Sequence, residues 1–352
     1  MSLRDHLIAR ITAQGPMSVT EYMGTCLLHP TYGYYTTRDP LGVAGDFITA
    51  PEISQMFGEL IGLSLAQSWM DQGCPTPFTL AEAGPGRGTL MADALRATAA
   101  VPGFHEAAEL VLVEASPALR AVQADALNAH APRWIDSLAD LPDAVLFLVA
   151  NEFFDALPIR QFQREGRLWR ERQVGVKDGA LIFGLAPAQG QPALAHRLDD
   201  TREGDLIEDC PAAAPAMDAI GRRIAQHGGA ALIIDYGDWR SLGDTLQALQ
   251  RHAPVDPLAT PGEADLTAHV DFEALAQAAP CPFSRVIPQG VFLERLGITE
   301  RANTLAQRLA GTARDRLIMA HRRLTHPEEM GNLFKVLGLY PQGHRPPPGL
   351  DP

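Results

Sequence analysis

Nowhere in the 352 residues does an apolar run approach eighteen, which argues against a membrane-spanning helix. Cysteine is scarce: Cys26, Cys74, Cys210 and Cys281 stand far apart with no CxxC pair. That removes the usual zinc spacings, so no metal site is expected, and it points to a reducing compartment. Positive charge is in deficit, with 29 Lys and Arg against 42 Asp and Glu and a formal net charge of −13. A field of that sign repels phosphates and disfavours nonspecific contact with nucleic acid or an anionic membrane. It leaves room for a basic protein partner or an arginine-bearing peptide. The opening segment MSLRDHLIARITAQGPMS has no apolar core of signal-peptide type. It reads as a short amphipathic helix with Leu3, Leu7, Ile8 and Ile11 on one face, stopped by Gly15-Pro16. The expected location is cytoplasmic.

What is present is concentrated in Phe78–Leu90, FTLAEAGPGRGTL. An apolar strand-like start ends in an acid, Glu82. Glycines follow on alternate positions, Gly84, Gly86 and Gly88, with Pro85 and Arg87 between them, and Thr89-Leu90-Met91 opens a helix-forming stretch. Strand, glycine turn and helix bring a nucleotide-like ligand against backbone amides. Glycine permits close approach and positive φ. The dinucleotide pattern GxGxxG would need glycine at position 89, where Thr89 stands. An acid followed by GxGxG fits S-adenosylmethionine (SAM) better, because SAM has no phosphate for Glu82 to repel. A glycine-rich turn of purely structural purpose remains open on this pattern alone.

Around this motif the chain alternates strand and helix, the signature of an α/β fold. Strands are expected at 78–82, 109–114, 134–135, 144–150 and 230–235, and helices at 89–99, 117–130 and 216–227. Residues 1–75 read as a mostly helical extension. Its helix from Pro51 to Met70 has Thr49 as a candidate N-cap. Period-two segments with turns at Glu165-Gly166 and Asp178-Gly179 suggest an antiparallel insertion. The expected division is an extension and lid at 1–75, a core at 76–158 and 228–340, an inserted substrate or dimerisation region at 159–227, and a disordered or extended tail at 341–352.

Ligands of open α/β sheets lie beyond the carboxyl ends of the strands, and here strand after strand ends in an acid or amide: Glu82, Glu114, Asp136, Asn151-Glu152 and Asp235. Singly, each reads as a solvated loop charge. Together at one edge they point to a site. Glu114 suits the vicinal hydroxyls of a ribose, although an NAD enzyme would use an acid there too. Asp136 is a candidate for an adenine amino group. Asn151, Glu152 and Asp155 are the candidate catalytic positions. A carboxylate pair fits the planar guanidinium fork, and one member could accept its proton. Phe153 and Phe154 would wall the site; the alternative is a helix start capped by Asn151 or Asp155. The loop Gly45–Ser54, with Asp46 and Thr49, reads as a lid over the cofactor or simply as a capped helix start.

Several segments in order, GDFITAPEISQMFGELIG, EAGPGRGTLMADALR, LVEASPALRAVQ, NEFFDALPIRQF, IDYG, GEADLTAHVDFEAL, QGVFLERLGI and MGNLFKVL, resemble the MidA family of class I SAM-dependent methyltransferases. The likeness runs over roughly residues 20 to 340. It implies a Rossmann-like, seven-stranded methyltransferase core with inserted elements, SAM as cofactor, and protein-arginine methylation. Eukaryotic members of that family are mitochondrial assembly factors for respiratory complex I, so the implied partner is a complex I subunit or its bacterial counterpart. The family's cofactor loop falls on Glu82, Gly84, Pro85, Gly86, Arg87 and Gly88, with Glu114 for the ribose, and its lid element on Gly45 to Ser54. Asp235, Tyr236, Gly237, Asp265, Thr267 and His269 are further family positions of unassigned role. Two other readings compete. One is a SAM-binding assembly chaperone with little turnover, suggested by Tyr22, Tyr32, Tyr34, Tyr35 and Phe47. The other is an NAD-dependent oxidoreductase, which Thr89 disfavours.

Overall fold

A computed structural model describes residues 2–37 and 49–352, which form two compact units. The first comprises 2–37, 155–212 and 240–271; the second comprises 49–154, 213–239 and 272–352.

The second unit is built on a mixed sheet. Its strands are β1 (Phe78–Ala83), β2 (Ala108–Val113), β3 (Arg133–Ile135), β4 (Leu146–Asn151), β5 (Gly229–Asp238), β6 (Ile287–Pro288) and β7 (Phe334–Leu339). The spatial order is β3-β2-β1-β4-β5-β7-β6. β1 to β5 pair in parallel, and β7 enters antiparallel beside β5. Order reverses between β1 and β4, and that switch point opens a crevice at the carboxyl ends of the strands. β1 and β4 are buried along their whole length, as apolar runs covered on both faces must be. This is the class I methyltransferase core expected from the sequence.

Helices α1 (Gln55–Asp71), α2 (Thr89–Thr98), α3 (Pro117–Ala126) and α4 (Ala213–His227) belong to this unit. α1 lies tightly on α2 because it offers glycine at the contact: a Cβ on Gly62 would stand 2.6 Å from Ala94 Cα, and one on Gly58 would stand 2.8 Å from Leu90 O. Glu59, between them on α1, accepts from Arg96 at 2.7 Å and from Arg301 at 2.8 and 3.0 Å. The expected helix from Pro51 to Met70 is two pieces, Ala50–Ile53 and Gln55–Asp71. Ser54 breaks it with φ −161°, because its hydroxyl accepts from Met56 N at 3.3 Å and caps the longer piece. Thr49 precedes the short turn and makes no side-chain cap. The terminal segment, expected to be disordered or extended, is packed. Leu350 is buried, Ser64 Oγ donates to Pro348 O at 3.0 Å, and Arg285 N donates to Asp351 O at 3.0 Å.

The first unit contains an antiparallel sheet of Met17–Ser18, Leu168–Lys177, Arg160–Glu165 and Leu206–Asp209, with Ala180–Leu185 paired to Leu168–Lys177. Both turns foreseen in the sequence are present: Gly166 has φ 61°, and Asp178 and Gly179 have φ 50° and 75°. Of the region 159–227, residues 159–212 lie in this unit and 213–227 in the second. Helices Leu3–Gln14 and Val19–Leu28 each start on a capping box, Ser2 with Asp5 and Ser18 with Glu21. Of the aromatics behind the chaperone reading, Tyr22 and Tyr34 are wholly buried and serve the core, whereas Tyr32 is exposed; Phe47 lies outside the described residues. No helix among the described residues is long and apolar enough to cross a membrane.

Candidate functional site

The glycine turn joins β1 to α2 at the switch point. Gly84, Gly86 and Gly88 have φ of 64°, 53° and 82°, left-handed values that side chains adopt only under strain. Gly84 N donates to Val113 O at 3.1 Å, which ties the turn to the end of β2. A Cβ on Gly84 would meet Phe153 Cδ2 at 3.0 Å. Thr89 occupies the position where a dinucleotide loop needs glycine. Its hydroxyl donates to Glu52 Oε1 at 2.5 Å, fastening the Ala50–Ile53 turn to the start of α2.

Glu82 is almost wholly buried at the end of β1. Burial pushes its carboxyl up to about 8, against a smaller opposing effect of the Met91 backbone. Its Oε2 has no hydrogen-bond partner among the described residues. The protonated form therefore predominates at neutral pH, so Glu82 does not exclude a phosphate by charge as expected from the sequence. That exclusion now rests on the glycine spacing and Thr89.

Glu114 follows β2. Its Oε1 accepts from Ser116 N at 2.7 Å and its Oε2 from Gln123 Nε2 at 3.2 Å. Burial raises this carboxyl above its usual range, and those bonds oppose the rise. Arg120 Nε donates to Glu114 O at 2.7 Å, and Arg120 NH2 donates to Asp136 Oδ1 at 2.5 Å. Asp136 is thus largely exposed and already engaged by a guanidinium.

At the end of β4, Asn151 is buried and its Nδ2 donates to Glu152 Oε1 at 3.1 Å, while its Oδ1 has no hydrogen-bond partner among the described residues. Glu152 has φ 50°, and its Oε1 also accepts from Ala50 N at 3.1 Å. A left-handed glutamate costs about 1–2 kcal/mol of backbone strain. Here it is held by Glu152 N donating to Ile234 O at 2.9 Å. Such strain, sustained by its surroundings, is a mark of functional turns. Asp235, fully buried on β5, accepts from Phe154 N at 3.0 Å and Tyr236 N at 2.9 Å.

Asp155, three residues beyond Glu152 in the chain, belongs to the first unit. Its carbonyl accepts from Ala268 N at 3.0 Å. Nearby in that unit Tyr35 OH donates to Asp265 at 2.9 and 3.1 Å, and burial, with Asp265 and Asp155 adding to it, holds the Tyr35 phenol well above its usual range. His269 is fixed through its backbone, whose N–H reaches Thr245 Oγ1 at 2.8 Å. Asp46 lies outside the described residues. Sequence reasoning missed Thr89, Glu52 and Gln123 as contributors, and it left Asp235 without a role. Glu52 and Gln123 stand inside segments that carry the family resemblance, which was the available signal.

The model of the family described as "Putative S-adenosyl-L-methionine-dependent methyltransferase" matches residues 60–284. The chain belongs to that family. Protein arginine methyltransferase NDUFAF7, mitochondrial, of Homo sapiens is 37% identical over 366 residues, 96% of this chain and 82% of the relative. Its Drosophila melanogaster homolog is 34% identical, over 97% of this chain and 85% of that one. A Burkholderia thailandensis protein crystallised with S-adenosyl-homocysteine superposes with a TM-score of 0.82 at 31% identity, covering 99% of this chain and 92% of that chain. This chain is accordingly a methyltransferase with SAM as cofactor. The residues present fit it: three left-handed glycines, an anchored carboxylate at the end of β2, and a buried Glu82 oxygen without a partner at the mouth of the loop.

Proposed function

We propose that this enzyme methylates an arginine side chain of a protein, and that the acceptor is a respiratory complex I subunit or its bacterial counterpart, modified during assembly. The observation that carries the reading is similarity, along nearly the whole chain, to relatives named as protein arginine methyltransferases. The widely spaced cysteines fit a reducing, cytoplasmic setting for this chain.

SAM would be held by Glu82, Gly84, Pro85, Gly86 and Gly88, with Glu114 on the ribose, Asp136 for the adenine amino group, and Asp46 and Thr49 as the proposed lid positions. When bound, it supplies a methyl group on a sulfonium and leaves as S-adenosylhomocysteine. The chain's own task is to position a guanidinium and remove one proton as the new N–C bond forms. Glu152 is assigned to accept a guanidinium N–H and take that proton, with Asn151 Nδ2 orienting its Oε1. Asp155, the other carboxylate of the Asn151–Pro158 motif, stands as a further proposed catalytic position. Fixed donors and acceptors matter here because alignment accounts for much of the barrier reduction in such a transfer.

The test is methyl transfer from labelled SAM into a lysate of cells lacking this gene, followed by mass mapping. Dimethylated arginine on a complex I subunit is the expected product. Label on lysine, RNA or small molecules alone would overturn the assignment. Tight cofactor binding with no labelled product would shift the reading to a SAM-binding assembly chaperone.

A further inference from the structure

Gln123 is one of two buried residues of α3, the other being Leu119, and it is wholly enclosed. Burying an amide is costly unless its groups are bonded. Nε2 donates to Gly86 O at 2.8 Å and to Glu114 Oε2 at 3.2 Å, and Oε1 accepts from Trp134 Nε1 at 2.8 Å. An indole N–H can only donate, and a carbonyl or ionised carboxylate can only accept. The amide therefore has a single orientation that satisfies all three partners, with its nitrogen toward Gly86 and Glu114. Those partners lie on the glycine turn, at the end of β2 and on β3. α3 also closes over the turn directly: a Cβ on Gly88 would stand 3.7 Å from Gln123 Cα.

We propose that Gln123 is a positioning residue for SAM, holding the Gly86 carbonyl and the Glu114 carboxylate in one register, with Trp134 fixing the direction of its amide. Fixing the Gly86 carbonyl fixes the whole planar peptide and so the direction of the Arg87 N–H. Fixing Glu114 Oε2 leaves that carboxylate one rotamer in which to meet a ligand. The inference rests on the reading that the glycine turn and Glu114 hold the cofactor.

The test compares Gln123→Leu, Gln123→Glu and Trp134→Phe with the parent enzyme, by calorimetric titration of S-adenosylhomocysteine alongside thermal melts. Leucine removes both donors. Glutamate keeps the shape and turns an acceptor toward Gly86 O and Glu114. The dissociation constant should rise about tenfold for Gln123→Leu, the loss of roughly one charge-assisted hydrogen bond. It should rise further for Gln123→Glu, and by about threefold for Trp134→Phe. These losses should not track the melting temperature, whereas a merely structural role would couple the two. The Trp134 indole 15N–1H resonance should also shift on adding S-adenosylhomocysteine to the parent enzyme. Folded Gln123 variants that bind within twofold of the parent would overturn the proposal. If they do not fold, an unchanged constant in Trp134→Phe would overturn it. Glu114→Gln and Gly86→Val, titrated in parallel, separate the two levels. Unchanged binding there defeats the cofactor-site reading itself. Weakened binding there, with Gln123 variants unaffected, defeats only the positioning role.

Discussion

Asp235 Oδ2 accepts a hydrogen bond from Phe154 N at 3.0 Å, across a separation of 81 residues in the chain. Its other oxygen takes Tyr236 N at 2.9 Å. One buried carboxylate on β5 thus fixes the backbone of the turn that carries Asn151 and Glu152. The turn needs such an anchor, because Glu152 sits at φ 50° and would relax without one.

Removing that anchor should damage chemistry more than cofactor binding. Asp235→Ala leaves two buried N–H groups without their acceptor, at about 1–3 kcal/mol each, so urea unfolding should show a loss of several kcal/mol. Methyl transfer should fall at least tenfold in the folded fraction, with S-adenosylhomocysteine affinity changed far less. Asp235→Asn, which keeps one acceptor, should fall between. Full activity in Asp235→Ala would sink the account.

Gly86→Val places a β-branched residue at φ 53°, a conformation strongly disfavoured for it. The turn must then change shape, and the carbonyl that meets Gln123 moves with it. S-adenosylhomocysteine binding should be lost at millimolar ligand, while circular dichroism stays that of a folded α/β protein. Parent-like affinity would show that the turn does not receive the cofactor.

Glu82 supplies a pH signature. Its folded value, about 8, lies above the ordinary 4.5, so its contribution to stability is complete below the ordinary value and is lost as pH rises through the folded one. Over that window the parent should lose stability relative to Glu82→Gln, by up to about 1.4 kcal/mol per pH unit. A cationic ligand favours the ionised carboxylate, so SAM affinity should rise with pH across the same range, more steeply in the parent than in Glu82→Gln. Identical profiles for the two proteins would contradict the assignment.

Glu59 shows the opposite sign. Burial would raise its pKa, but hydrogen bonds and charge from Arg301 and Arg96 outweigh that and hold it below 4.5. The contribution is present above the ordinary value and disappears as pH falls through the folded one. Both arginines are substantially exposed, so solvent screens the network and Glu59→Gln should cost only about 1 kcal/mol. That difference should shrink as melts are taken to progressively lower pH below the ordinary value. A gap that does not shrink would point to packing of α1 on α2 as the cause.

Much of the candidate site could be read along the chain because its parts are local. The strand, turn and helix of 78–98 are contiguous, and acids at strand ends announce themselves by following apolar runs. Ser54 was harder. Its hydroxyl turned one expected helix into two, a choice between competing local bonds that periodicity does not display. The packing of the tail was not legible, because proline-rich composition says nothing of a distant surface with room for Leu350.

By itself the sequence determined the α/β alternation, the glycine turn, the order of the chemical motifs and the kind of cofactor, since these depend on residue type and near spacing. Only the tertiary structure decided that Thr89 bonds Glu52, that Gln123 joins Gly86 to Glu114, that Asp235 anchors Phe154, and that Glu82 holds its proton at neutral pH. Each of these follows from burial or from contact between residues 9 to 81 positions apart. Desolvation and long-range hydrogen bonding are properties of the packed chain, and no local spacing encodes them.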